Sequence, residues 1–154
     1  MSTVSGTVLV SVINNDSVKD VYYIRARDAV NSKLNYKYLR VTIKGNKEDV
    51  IAALAAKARN SDGLCPYCGK LLCWTQQTGR PGDSASLDRI WNTREIDESN
   101  LEWVSDDCNW SKSAKTPEAF IRHSFAIVFH ITKSAISKDM TIDQYIRTRW
   151  PKTV

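Results

Sequence analysis

Long apolar runs are missing from this 154-residue sequence, and none approaches the roughly 18 residues that a membrane-spanning helix needs. The opening stretch MSTVSGTVLV also lacks the charged-then-apolar order of a signal peptide. The expectation is a soluble, cytoplasmic protein with no membrane partner. Histidine is scarce, with His123 and His130 the only two. They sit seven apart on one apolar stretch, where a core or boundary position is the plain reading and a base or metal ligand the sharper one. Cysteine is limited to four. Two disulfides would suit an exported protein, but without an export signal metal binding or buried thiols are expected. No internal repeat or low-complexity tract is present. The 22 basic residues exceed the 17 acidic ones, giving +5. That excess suits a polyanionic partner without identifying one.

The patterning of the rest predicts a mixed α and β chain. Val4 to Ile13 reads as a strand, and Ser17-x-x-Asp20 as a capping box for a helix to about Leu34. Arg25, Arg27 and Lys33 lie off the apolar face of that helix, where the arginines are candidates for DNA contact or a dimer surface. Tyr38 to Lys44 reads as a short strand. Asn46-x-x-Asp49 opens a second helix with an apolar stripe of Val50, Ile51, Leu54, Ala55 and Ala58. A strand at Lys70 to Trp74, a polar loop, and two apolar segments at Ala85–Ile90 and Asn100–Val104 follow. Asp106-Asp107-Cys108-Asn109-Trp110-Ser111-Lys112 has the acids of a helix N-terminus. Thr116-Pro117 opens a helix through about Ile131, apolar on nearly every face and therefore expected to be central core. Thr141-x-x-Gln144 caps a last helix that Pro151 limits.

Cys65-Pro66-Tyr67-Cys68-Gly69 places two thiols three residues apart on a tight turn, with Gly69 able to take positive φ. A redox Cys-x-x-Cys opens a helix after a strand, whereas a strand follows here, so zinc is favoured. Trp103 and Trp110 are expected to pack a hairpin on its helix.

The order Cys-x-x-Cys, Leu-Asp-Arg-Ile, Asn, Cys-Asn-x-x-Lys and Thr-Pro-Glu-x-Phe resembles the HNH endonucleases of the His-Me finger, or ββα-metal, superfamily. The resemblance covers roughly Gly63 to Phe120. It implies an α+β fold with a treble-clef-like ββα-metal module at 63–134. An N-terminal strand and helical region at 1–62 and a C-terminal helix at 135–154 would flank it. It further implies metal-dependent hydrolysis of DNA, by a nicking, homing or restriction-type enzyme of prokaryotic or phage origin. Asp88 would be the carboxylate ligand of a catalytic Mg²⁺ or Mn²⁺, and Asn109 the second ligand through its amide oxygen. Both are hard donors. Asn100 would brace the hairpin loop. Lys112 shares a helix face with Asn109 and is a candidate phosphate contact, as are Arg94, Lys115 and the group Arg147, Arg149 and Lys152. A helix N-terminus would also favour phosphate.

Two departures from that pattern matter. Arg89 stands where the family has its first histidine, the general base, and arginine cannot accept a proton near neutral pH. Ile96 aligns with a tyrosine that some relatives offer instead. Activation would then fall to metal-bound water, a substrate phosphate oxygen or a residue outside the motif. In the structural zinc site the family's second cysteine pair is half present, with Cys108 in place and Ser105 in the other position. Cys65, Cys68 and Cys108 would be ligands, and Cys73, Asp106 or Asp107 the fourth. On this reading Asp88→Ala abolishes cleavage with little loss of fold, and cutting at a symmetric site would call for a homodimer. The alternative is an HNH-fold nucleic-acid-binding adaptor or regulator that lost its base. A zinc-stabilised protein-interaction domain is a weaker third.

Overall fold

The computed structural model describes residues 20–35, 41–75, 82–93 and 95–150. The strand expected at Val4 to Ile13, the Ser17 cap, Arg94, Pro151 and Lys152 lie outside them. The chain is α+β, as the patterning indicates. Helix α1 (Val21–Leu34) is capped by Asp20, whose carboxylate accepts the N–H groups of Tyr22 and Tyr23. Strand β1 (Thr42–Ile43) leads to α2 (Lys47–Asn60), capped by Asn46. All five residues of the α2 stripe are buried. Each large aliphatic side chain removed from water in this way contributes about 1.5–3 kcal/mol.

The turn at Cys65–Gly69 closes through Cys65 N–H to the Lys70 carbonyl and Gly69 N–H to the Cys65 carbonyl, both 2.8 Å. Gly69 takes φ +71°, where a side chain would be strained. Instead of a full strand, 70–74 makes only isolated bridges, Leu64 with Leu71 and Cys73 with Ser84. Strand β2 (Ala85–Arg89) then pairs antiparallel with β4 (Leu101–Ser105), placing Asp88 opposite Glu102. Between them, β3 (Glu95–Ile96) pairs in parallel with β1, and a single helical turn at Glu98–Asn100 precedes β4. Helix α3 (Asp106–Lys112) follows β4 directly and packs on both hairpin strands.

One buried cluster runs from Ala26 and Val30 of α1 through α2 to Leu87, Leu101, Trp103 and Cys108. The α1–α2 pair is thus welded to the hairpin. Trp103 is buried, with its indole N–H donating to the Leu54 carbonyl at 3.0 Å. Trp110 is not core: it is 73% exposed.

Helix α4 (Pro117–Ile136) runs five residues further than its apolar pattern predicts, and α5 (Ile142–Arg149) carries the anticipated Thr141–Gln144 capping box. The expectation that α4 is central core is overturned. Only Phe120 and Ala135 are buried on it, and Phe125 is 69% exposed. An apolar sequence marks a surface that favours burial, but none of the described residues covers that side of α4. His123 and His130, expected at the core or its boundary, are likewise exposed on α4. Among the described residues no helix is long and apolar enough to cross a membrane.

Candidate functional site

A groove of ≈ 760 Å³ runs between α1 and the β2–α3 face. Asp88, Arg89 and Asn109 line it from the hairpin side, and Arg25, Asp28 and Lys33 from α1. Three residues singled out by the sequence are therefore brought together by β2 and α3. His123 and His130 do not line it.

Asp88 ends up in an unexpected setting. It is 2% exposed, and Lys112 Nζ lies 3.0 Å from its Oδ1 while the Tyr67 hydroxyl donates to Oδ2 at 3.3 Å. Burial pushes the carboxyl above its ordinary value, against the opposing pull of the Lys112 ammonium and the Tyr67 hydroxyl. Burial, then the Asp88 charge, raises the Tyr67 phenol well above its ordinary value, so it stays a hydrogen-bond donor. Lys112 is 1% exposed and also donates to the Arg89 carbonyl at 2.8 Å. It is a buried counter-charge and not the phosphate contact that the motif led us to expect.

Asn109 donates its amide N–H groups to Ser86 Oγ at 2.8 Å and the Leu87 carbonyl at 3.1 Å, which leaves the amide oxygen as its end not engaged by β2. Asn100 spans the turn after β2: its Oδ1 accepts Trp91 N–H at 2.8 Å, and its Nδ2 donates to the Trp91 carbonyl and Thr93 Oγ1. Arg89 donates to the Thr93 carbonyl at 2.6 Å from the groove wall. Lys115 is exposed, donates to the Ser111 carbonyl, and does not line the groove.

The start of α3 is not open to an anion either. Asp106 N–H and Asp107 N–H go to the carbonyls of Ser84 and Gly82, and Cys108 N–H goes to Ser105 Oγ. The Asp107 carboxylate lies against Gly82, where a Cβ would make that side chain swing aside.

The arginines of α1 divide. Arg25 is committed to the Ala85 carbonyl, and Arg27 pairs with Asp28 on the surface. Lys33, by contrast, faces the groove, and burial followed by the Arg89 charge holds its ammonium down to about 8. Its importance escapes a motif search, since it lies far outside the motif. The available signal was the spacing of Arg25, Ala29, Ser32 and Lys33 along one side of a helix. A folded value of about 8 against an ordinary 10.5 means the unfolded chain holds more protons between those limits, so this group makes stability rise with pH there. Lys33→Met is expected to be more stable than wild type near pH 7 and to lose that part of the rise. Paired denaturant melts at both ends of the window measure it, and parallel curves would refute it.

The second cluster is made of sulfur. Cys65, Cys68 and Cys108 bring their Sγ atoms within 4.8 Å of one another, so the three can hold a metal ion. The fourth corner is Ser105, with Oγ 3.5 Å from Cys68 Sγ. Cys73 is not in the cluster; its thiol contacts Thr75. Asp107 is also drawn elsewhere, to Lys70 at 3.4 Å, and Asp106 lines the groove. Burial works against ionisation of Cys65, yet hydrogen bonds from Ser105, Cys68 and Tyr67 hold it down to about 7. Cys108 is pushed up to about 12, chiefly by burial. A thiol held down in this way beside two further sulfurs suits a soft cation.

Compared with protein-family models, with curated proteins and with solved structures, the chain matches none of them.

Proposed function

We propose that this protein is a metal-dependent DNA endonuclease of the HNH type, its hairpin and α3 serving as a ββα-metal module braced by zinc. The observation that carries the reading is the convergence of Asp88, Arg89, Asn109 and Lys33 on one groove. Asp88 and Asn109 fit a divalent cation that keeps most of its own waters, since Mg²⁺ takes few protein ligands and hard oxygens. When bound it would supply Lewis-acid stabilisation of charge on the scissile phosphate.

The chain's own residues do the rest. Arg89 and Lys33 present positive charge along the groove and neutralise the phosphate as its charge grows in the transition state. Asn100 holds the loop that carries the Arg89 guanidinium through Thr93. Lys112 holds the Asp88 carboxyl in place through Oδ1 and opposes the upward push of burial on it. No histidine lines the groove among the described residues, so proton removal from water falls to metal-held water, a substrate phosphate oxygen or another residue, Asp28 and Asp106 being among those that line the groove.

One observation favours the second reading, a nucleic-acid-binding adaptor or regulator. Both Asp88 oxygens already accept hydrogen bonds and the carboxylate is buried. Supercoiled plasmid and branched DNAs incubated with Mg²⁺, Mn²⁺ or EDTA separate the two. A nuclease nicks or cuts only with metal, loses this in Asp88→Asn, and slows about 10²–10³-fold in Arg89→Ala. Binding of every substrate without cleavage, together with no Mn²⁺ bound, would move the adaptor ahead.

A further inference from the structure

The exposed side of α4 is unlike any other surface of the described chain. Ile121, Phe125, Val128, Phe129 and Ile136 are all exposed. At 3.6 residues per turn they fall within an arc of about 100°, while Phe120 and Ala135 turn inward, Phe120 onto Tyr67 with ring centroids 5.2 Å apart. Phe125 and Phe129 stack on each other, 6.1 Å between centroids. Ile121, Phe125, Val128 and Thr132 repeat at alternating steps of four and three, the spacing by which one helix seats against another.

We propose that this stripe is the interface with a second copy of the chain, α4 lying on α4 about a two-fold axis. The area favours that occupant. With Phe125 69%, Phe129 59% and Val128 60% exposed, the five side chains offer about 500–600 Å² per copy. Two copies with a polar rim then reach the lower range of stable interfaces, about 1,200 Å² in total. Symmetry favours it too, because a stripe running from Ile121 to Ile136 along one helix can meet a copy of itself. An antiparallel pairing sets the N-terminal end of one α4 beside the C-terminal end with Lys133 of the other, and opposes the helix dipoles favourably. Arg122 does not interfere, since Glu118 already holds it within the helix.

The assembly is independent of the nuclease reading and is tested without DNA. Light scattering and sedimentation of the full chain over a dilution series are expected to give twice the 17.4 kDa chain mass. Phe125→Glu and Val128→Glu should each raise the dimer dissociation constant by at least about thirtyfold. Circular dichroism and melting should then be those of a folded chain, because both positions are exposed among the described residues and only Phe125 gives up a ring contact there, its stack on Phe129. Leu71→Glu, at an exposed apolar site off the stripe, should remain dimeric. A wild-type chain that stays monomeric at every concentration overturns the proposal, including the case where deleting residues 1–19 uncovers a dimer and so identifies that segment as the cover. A dimer that survives both α4 variants unchanged overturns it as well.

Discussion

Asp88→Ala and Lys112→Met are each expected to destabilise the protein by about 3–5 kcal/mol, and the double variant by much less than the sum. The side chains are 2% and 1% exposed and 3.0 Å apart. Removing one partner leaves the other charged group without water and without compensation; removing both leaves an apolar site that can close. Chemical denaturation of the four proteins closes the cycle. Single variants within about 1 kcal/mol of wild type would mean the pair behaves as a solvated surface contact, and the buried arrangement would be wrong.

That energetics changes how activity must be tested. The expectation from sequence that Asp88→Ala spares the fold is not tenable, because the substitution strands the Lys112 ammonium between the Arg89 carbonyl and an empty site. A loss of cleavage in that variant would confound chemistry with unfolding. Asp88→Asn keeps the volume and one acceptor oxygen for Lys112 but not the charge, so its activity is read alongside a melt that shows it folded.

How far the fold and site can be read from sequence depends on what each segment's partner is. The α2 stripe was legible because Val50, Ile51, Leu54, Ala55 and Ala58 recur at helical spacing and bury against neighbours in the same chain. The same reasoning misplaces α4, whose apolar residues are as numerous but face outward. Periodicity reports the wish to be buried and not the identity of the cover. Caps were legible where side chain and turn agree, as at Asn46 and Thr141. At the site, motif order brings Asp88, Arg89 and Asn109 together, and these three do line one groove. Spacing could not tell that Lys112 points inward and Lys33 toward the groove. The placement of Lys33 depends on α1 packing against β2, a contact between segments some sixty residues apart, and that of Lys112 on α3 packing against β2. Tyr67 is similar: it reads as filler within Cys-x-x-Cys, yet the turn aims its hydroxyl at Asp88.

Zinc is expected to bind at one ion per chain and to raise the melting temperature. Ser105→Cys should strengthen that effect and Cys68→Ser weaken it. Tetrahedral zinc at about 2.3 Å from each sulfur needs its donors roughly 3.8 Å apart, and the three thiols already lie within 4.8 Å of one another. Ser105 Oγ stands at the fourth corner, beside Cys68 Sγ and accepting from Cys108 N–H. A hydroxyl is a much weaker ligand than a thiolate, so exchanging oxygen for sulfur completes the set with little displacement. Binding must also expel the proton that burial holds on Cys108 up to about 12. Zinc uptake therefore releases protons and weakens as pH falls. At free zinc about a thousandfold above its dissociation constant the gain is about 4 kcal/mol, enough to dominate a marginal domain. Cys73→Ser, outside the cluster, should bind zinc as wild type does. Metal analysis with melts in zinc and in chelator reads all four proteins. Equal melting temperatures with and without zinc, and no ion retained, would leave Cys65, Cys68 and Cys108 as a packed thiol cluster, with the turn held by its backbone hydrogen bonds and Gly69 alone.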